Sequence, residues 1–318
     1  MTPRQLRYFV AIARAGNISQ AAAVLHVAQP SLSQHMAAIE DELGVPLLER
    51  HARGVTLTPA GQRLFDRACS ILRQLDHLPD DVAAATGLPR GEVRLAMDGS
   101  IAALVIAPLY RAMEARYPDV RVSVLTGLSH QMLQLVQTRS VDLALMPNAF
   151  ELPSLLSEPV YEERFCLFGA SGSFPPQLRQ IRFDDIGDRP LVATDRQHDQ
   201  RKLIERVADA RKRTLNVRYE INDAELTRAL VQSGLAQAIL PSNAFAATSL
   251  RNGVRALEIV EPVLHRIQSV AWPSGTPLTP AAEATRQCLH DTVAALIDAR
   301  ALRGRLPRVD RHREEPIP

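Results

Sequence analysis

Several polar side chains near the start of the chain have the types and spacing to bind nucleic acid. They open the segment QPSLSQHMAAIEDELG, residues 29–44. Gln34 could form paired hydrogen bonds with an adenine edge, and Gln29 would lie at a helix tip, where it can meet bases. The hydroxyls of Ser31 and Ser33, with the free amides of a helix N-terminus, suit phosphate oxygens. These residues therefore predict a DNA-contacting helix.

Charged residues on either side of this segment limit how it could meet DNA. Arg50 and Arg53 flank the turn of a predicted hairpin in VPLLERHARGVTLTPAG, from which they could reach the phosphate backbone or the minor groove. DNA would repel Glu40, Asp41 and Glu42, so that end of the helix must lift away from the duplex.

Three short helices must position these residues. Apolar periodicity predicts a first helix that ends at Gly16, a second that is capped by Ser19, and a third that begins at Pro30. Two helices connected so closely are typical of a helix-turn-helix. On the third helix, Leu32, Met36, Ile39 and Leu43 should face inward, and Pro30, Gln34, Ala37 and Ala38 outward.

A longer helix is predicted from Pro59 onward. Its apolar residues could pack on its own domain, but a long helix between domains often forms a dimer, which we favour. Pro79 should kink or end this helix near His77 or Leu78, and ATGLPRG at 85–91 has the composition of a hinge. The predicted seam for a partner helix consists of Leu64, Ala68, Ile71 or Leu72, Leu75 and Leu78.

From Gly91 onward strands alternate with helices, which predicts parallel sheets flanked by helices. Glu163–Ala170 would carry the chain into a second α/β half, and Ile267–Trp272 would bring it back. Two lobes joined in this way leave a cleft, and clefts at the carboxyl ends of parallel strands bind ligands. Residues 303–318 lack apolar periodicity and are predicted to be disordered.

Composition excludes several classes of protein. The 318 residues are 46% apolar with a net charge of +2, no apolar run approaches the roughly 20 residues of a membrane span, and no leader pattern precedes the first helix. We therefore expect a cytoplasmic chain. Cys69, Cys166 and Cys288 are far apart and lack nearby histidines, which argues against disulfides and zinc. Without a GxSxG elbow or a glycine-rich phosphate loop, we expect neither an enzyme nor a bound cofactor.

The N-terminal pattern is similar to a known family. The stretch FVAIARAGNISQAAAVLHVAQPSLSQHMAAIEDELGVPLLERHARGVTLTPAG resembles the winged helix-turn-helix of LysR-type transcriptional regulators in residues and spacing. A looser likeness continues to about Arg300 through YPDVRVSV, VDLALMP and VQSGLAQAILP. VLHVAQPSLSQH is also similar to the nitrogen-assimilation-control branch. Two departures are Pro79, where the family's linker helix runs unbroken, and Gln34, where many members have arginine.

This resemblance implies an α/β fold with an N-terminal winged helix-turn-helix, a linker helix and a two-lobed, periplasmic-binding-protein-like effector domain. The predicted boundaries are 1–58 for the DNA-binding domain, 59–90 for the linker and hinge, and 91–302 for the effector domain, with lobe I at 91–162 and 267–302 and lobe II at 163–266.

It also implies site residues. Bases would be contacted by Gln29, Pro30, Ser33, Gln34 and Arg53, and phosphates by Ser31, Arg50 and Thr58. A small effector such as a carboxylate would lie between the lobes near Asp98, Gly99, Ser100, Thr126, Gly127, Ser129, Met146, Pro147, Thr194, Asn222 and Asp223, with Ser100 and Thr126 as the best candidates. Asp98 and Asp223 would repel an anion unless an arginine paired with them, and the alternative is that both are ordinary helix caps.

Together these patterns predict a regulator that binds promoter DNA as a homodimer or homotetramer. Ligand-driven closure of the cleft would alter the spacing of two DNA-binding domains. The resemblance allows RNA polymerase as a further partner. The alternative is a solute-binding module whose N-terminal helices contact protein instead of DNA. Only a DNA reader would lose affinity for duplex steeply as salt rises.

Overall fold

The computed structural model describes residues 1–51, 54–84, 88–245, 253–275 and 277–307. Contacts between residues divide the chain into two compact units. Unit 1 contains Met1–Gly87 and Gln137–Val141, and unit 2 contains Leu88–Val136 and Asp142–Pro318. No helix in these described ranges is both long and apolar enough to cross a membrane.

Unit 1 begins with three helices, as the periodicity predicts. Thr2 caps the first helix with its side chain, and Gly16 ends it in the left-handed conformation, at φ 62°. Asn17, not Ser19, caps the second helix, because its side chain accepts from the amide of Gln20. The elements are α1 (Pro3–Ala15), α2 (Ile18–Val24), α3 (Gln29–Leu43), β1 (Leu48–His51), β2 (Gly54–Leu57) and α4 (Pro59–Ala84).

The apolar stripe of α3 forms the centre of this unit. Leu32, Met36 and Ile39 are fully buried against α1 and α2, as predicted. Leu43, predicted to face inward, is 41% exposed, because it is the last residue of the helix and Gly44 caps it beyond the packed region.

Gly54 allows the β1–β2 hairpin to lie close to the end of α1. The amide of Val55 donates to the carbonyl oxygen of Gly16 at 2.8 Å. A Cβ atom on Gly54 would lie 2.2 Å from the same oxygen, and its φ of 140° belongs to glycine. No other residue type fits here without moving the hairpin.

Helix α4 runs past Pro79 and continues to Ala84, so it does not end near His77 or Leu78, and the other predicted outcome, a kink at that point, stays a prediction. Proline removes one amide donor and crowds the carbonyl four residues earlier, and the exposed flank of a helix tolerates both because water can satisfy that carbonyl. Pro79 and Leu75 are both exposed.

Unit 2 is built on a mixed eight-stranded sheet. Its strands run in the order β4-β3-β5-β12-β6-β11-β7, and β10 also pairs with β6. The elements are β3 (Gly91–Asp98), α5 (Gly99–Arg116), β4 (Val120–Gly127), α6 (Ser129–Gln137), β5 (Leu143–Pro147), β6 (Leu155–Ala170), β7 (Gln180–Arg182), β8 (Leu191–Ala193), α7 (Asp199–Ala210), β9 (Val217–Glu220), α8 (Ala224–Gln232), β10 (Ala238–Pro241), β11 (Val254–Val260), β12 (His265–Pro273) and α9 (Pro280–Asp298).

Strands β6 and β12 join the two lobes. β6 pairs with β12 along Leu155–Arg164 and then with β10 and β11 along Phe165–Ala170, so one strand takes part in both lobes. The segments predicted as the crossing and the return, Glu163–Ala170 and Ile267–Trp272, lie in β6 and β12. One lobe has parallel β3, β4 and β5 under α5 and α9, and the other packs α7 and α8 on its strands.

The prediction that disorder begins at 303 is wrong for residues 303–307, which the structure places against β6. Arg305 and Glu162 exchange two backbone hydrogen bonds of 2.8 and 3.0 Å. The side chain of Asn243 bonds both the backbone amide and the carbonyl of Arg303, at 2.9 and 2.8 Å. The segment is fixed by these polar pairs, which apolar periodicity does not reveal. Residues 308–318 lie outside the described ranges.

Candidate nucleic-acid interface and ligand cleft

The tip of α3 presents a polar, uncapped surface. Gln29, Pro30 and Gln34 are exposed, as predicted, and Ser31 and Ser33 are half-buried beside them. The N-cap residue Ala28 makes no side-chain hydrogen bond, and the first turn has no acidic residue. The first amides of α3 therefore keep their partial positive charge, which favours an anion such as a phosphate. Ala37 and Ala38, further along the helix, are exposed as well.

The two glutamines of this tip are not equally free. The Gln29 side-chain amide donates to the Ser33 hydroxyl at 3.0 Å, which holds both side chains over the first turn. No described residue hydrogen-bonds the side chain of Gln34. Gln34 can therefore turn both its donor and its acceptor outward.

Of the residues predicted to contact phosphates near the hairpin, Arg50 is exposed and Thr58 is buried. Arg50 is exposed on β1, and Arg53 lies outside the described residues. Thr58 is only 7% exposed, and its hydroxyl donates to the Pro46 carbonyl at 2.8 Å and accepts from the Gly61 amide at 2.9 Å. Thr58 thus ties the start of α4 to the chain before β1, and its hydroxyl already makes two hydrogen bonds within the protein.

Glu40 has a role that the sequence did not reveal. One oxygen of its carboxylate accepts from the amides of Leu47 and Leu48, at 2.7 and 3.2 Å. These two residues lead into β1 and are almost fully buried. Glu40 therefore fixes the hairpin to α3. Its carboxylate, one of the three that would be repelled by DNA, is used to hold these two elements together.

A cleft of about 490 Å³ lies between the lobes of unit 2. The N-terminal ends of α5, α7 and α8 and the loop before α6 converge on it. Its described lining consists of Asp98, Gly99, Ser100, Thr126, Gly127, Leu128, Gln131, Thr194, His198, Gln200, Ile221, Asn222, Asp223, Ala224, Thr227, Leu240, Pro241, Ala244 and Phe245.

Asp98 belongs to a buried ionic network behind the cleft. Its carboxylate lies 3.0 Å from the Arg266 guanidinium, which is also 2.7 Å from Glu163. Arg266 and Glu163 are almost completely buried, and the Tyr161 hydroxyl donates to Glu163 at 3.1 Å. Burial alone would raise the pKa of Asp98, but Arg266 and hydrogen bonds from Ser100 lower it below its ordinary value. Asp98 is therefore ionised and paired.

The alternative interpretation of the two aspartates as helix caps is confirmed. Asp98 caps α5 by accepting from the amide and the hydroxyl of Ser100, at 2.8 and 2.7 Å. Asp223 caps α8 by accepting from the amide of Leu226 at 2.8 Å. Both carboxylates therefore occupy helix ends that would otherwise attract an anionic ligand.

Four of the six predicted effector residues line the cleft. They are Ser100, Thr126, Thr194 and Asn222. The Thr194 hydroxyl is buried without a hydrogen-bond partner among the described residues and can bind a ligand. Asn222 is already committed, because its side chain bonds both the amide and the carboxylate of Asp195, at 2.9 and 2.8 Å.

The other two predicted effector residues are placed elsewhere. Ser129 is buried, and its hydroxyl accepts from the Asp199 amide at 3.1 Å. Met146 is 2% exposed inside β5, and neither residue lines the cleft. The prediction failed because adjacency to a loop does not fix the direction of a side chain.

His198 lines the cleft and was not predicted. Its Nδ1 accepts from the amide of Gln200, so the neutral ring carries its proton on Nε2 and can donate there. Burial lowers the pKa of His198, which keeps the ring neutral at pH 7.

The thiols of the chain are poorly suited to chemistry. Burial raises the pKa of Cys69 and Cys288, and that of Cys166 to about 11. The reactive thiolate is therefore scarce at neutral pH.

Comparison with known protein families covers most of the chain. Residues 3–62 match the family described as "Bacterial regulatory helix-turn-helix protein, lysR family", and residues 86–294 match "LysR substrate binding domain". The nitrogen assimilation regulatory protein nac of Escherichia coli is 29% identical over 298 residues, which cover 93% of this chain and 96% of that protein. A hydrogen peroxide-inducible genes activator of Haemophilus influenzae is 23% identical, with 94% and 99% covered.

A similar structure is that of full-length CbnR complexed with its target DNA. It has a TM-score of 0.67 and 24% identity, and the match covers 92% of this chain and 100% of CbnR. At this identity the likeness shows the fold. The family models show the family, and the two relatives, which carry different names at low identity, leave the branch undecided.

Proposed function

This chain belongs to the LysR family of bacterial regulatory proteins, and from that premise we propose how it reads DNA and what its cleft binds. It is a DNA-binding transcriptional regulator. We propose that the tip of α3 enters the major groove, with Gln29, Pro30, Ser33 and Gln34 at base edges. The observation that carries this proposal is the free, exposed amide of Gln34 on a helix whose opposite face is fully buried.

The hairpin and the helix end supply phosphate contacts in this proposal. Ser31 and the uncapped amides of α3 bind one phosphate group, and Arg50 and Arg53 bind the backbone beside the groove. Thr58 contributes by fixing the start of α4. Glu40 supports this arrangement, because its hydrogen bonds to Leu47 and Leu48 connect α3 to the start of β1, which carries Arg50.

Chains pair through α4 in this proposal. Up to Leu72 the helix packs on its own domain, with Ala68 and Leu72 buried. On another face of the helix, from Ile71 onward, an apolar stripe is 40–69% exposed. Its members, Ile71, Leu75, Leu78 and Val82, recur at intervals of three and four residues, which is the spacing of a helix-helix seam.

The cleft takes a small polar metabolite. Its described lining has no lysine or arginine, and the carboxylate of Asp223 has no cationic partner among the described residues, which favours a neutral or zwitterionic ligand over the carboxylate first expected. Ser100, Thr126, Thr194 and the Nε2 of His198 provide its hydrogen bonds. One relative is named for a response to hydrogen peroxide, but the raised pKa values of Cys69, Cys166 and Cys288 do not support such a response here. We propose that the protein acts in the cytoplasm, and by binding instead of catalysis.

Promoter DNA binding at two salt concentrations tests this proposal. We expect the affinity for DNA to fall steeply as the salt concentration rises, because the protein's cationic side chains release the counterions that are condensed on the DNA. Arg50→Ala should weaken binding and reduce the slope of log affinity against log salt by about 1. Arg206→Ala, an exposed arginine of α7 in unit 2, is the control and should leave that slope unchanged. Affinity that does not change with salt would favour the solute-binding module instead.

A further inference from the structure

A second cavity lies in unit 2, apart from the cleft. It measures about 440 Å³, which is within the size range of small-molecule sites. Alternate residues of β6, namely Glu162, Arg164 and Cys166, point into it from one side, and Ala256 and Glu258 of β11 join them. Arg179, Ser242 and residues 303–305 complete its lining.

The segment 303–305 forms a fixed wall. Arg303 is held through its backbone by Asn243, and Arg305 through its backbone by Glu162. Between them Gly304 lies so close to β6 that an added Cβ would be 2.8 Å from the Glu162 carbonyl oxygen. The backbone therefore holds two arginines beside the cavity, although the sequence around them has no apolar pattern.

Charge in this cavity is unbalanced. Four arginines line it against two glutamates. Arg164 pairs with Glu258, and Arg305 makes two contacts of 2.8 Å with Glu162. Two guanidinium charges remain without a carboxylate partner among the described residues, those of Arg179 and Arg303.

Both of these arginines, Arg179 and Arg303, line the cavity. Among the described residues Arg179 donates to the carbonyl of Pro176, at 2.7 Å, which orients its guanidinium but leaves its charge uncompensated. Arg303 lines the cavity together with Cys166, and its charge acts against the rise that burial causes in the pKa of this thiol.

We propose that this cavity binds a small dianion, a metabolite that carries a phosphate group or two carboxylates, between Arg303 and Arg179. The planar forks of the two guanidinium groups can each donate a pair of hydrogen bonds to an oxyanion. The cleft between the lobes has the opposite character, because its described lining has two carboxylates and no arginine or lysine. The chain therefore has one site for a neutral or zwitterionic molecule and another for an anion.

Titration of the purified full-length protein with inorganic phosphate and with succinate tests the proposal and distinguishes the two kinds of anion. We expect at least one of them to bind, and Arg303→Gln and Arg179→Gln each to weaken that binding about tenfold or more. Arg300→Gln, an exposed arginine three residues from Arg303 and outside the cavity, is the matched control and should bind as the unaltered chain does. DNA affinity without ligand should be the same in all three variants, which shows that each is folded.

The proposal is overturned if neither anion binds, or if Arg300→Gln weakens binding as much as Arg303→Gln. It is also overturned if Thr126→Val, in the cleft, abolishes binding while Arg303→Gln does not.

Discussion

At the scale of single residues, the sequence predicted which face of a helix a side chain occupies, but it did not predict the hydrogen-bond partners of that side chain. The outward direction of Gln34 and the burial of Met36 both follow from the period of the helix. The role of Glu40 depends on where the chain returns after Gly44, and no local pattern contains that information. The family resemblance assigned Thr58 to phosphate, and the bonds of its hydroxyl to Pro46 and Gly61 form through a turn that only the folded chain shows.

Replacement of Glu40 tests the link between the reading helix and the hairpin. Glu40→Ala leaves two nearly buried amides without an acceptor, which should destabilise the hairpin by about 1–3 kcal/mol. Hydrogen exchange at Leu47 and Leu48 should accelerate accordingly. Glu42→Ala removes the same charge from the same helix but not these bonds, so its exchange at those amides should match that of the unaltered chain. Equal acceleration in both variants would show that charge, and not the hydrogen bonds, is responsible.

At the scale of elements, long periodic segments were predicted well and short or unusual ones were not. The first helix ends at Gly16, as its apolar period predicts, and β6 and β12 lie where crossings were expected. β7 has three residues, too few to show alternation, and was not predicted. Of the two outcomes predicted for Pro79, a helix end did not occur, because an exposed helix tolerates one missing hydrogen bond, and a kink stays a prediction.

The exposed stripe of α4 makes a prediction about assembly. Leu78→Glu places a charge in the middle of the stripe, where pairing would bury it, so the oligomer should dissociate to monomer in sedimentation velocity. Val24→Glu changes another exposed apolar residue in unit 1, away from the stripe, and should keep the oligomeric state of the unaltered chain. An oligomer that survives Leu78→Glu would exclude this seam as the interface.

At the scale of the whole molecule, the chain combines a DNA-binding unit with a unit that has two chemically different cavities. Unit 1 has a polar helix tip and a hairpin that carries Arg50. Unit 2 has a cleft whose described lining contains no arginine or lysine, and a second cavity that four arginines line. Sequence patterning predicted the two lobes and the cleft between them. The second cavity was not predicted, because residues 303–305 reach it through backbone pairing.

The central claim is that the tip of α3 reads base edges, and selection of bound sequences from a random DNA pool tests it most directly. The unaltered chain should enrich a symmetric site, and Gln34→Ala should lose the preference at one position in each half-site, at a cost of about 1–3 kcal/mol for the preferred base. Preferences at the remaining positions should persist. An unchanged site in the Gln34→Ala variant would contradict the claim, because Gln34 would then not contact a base.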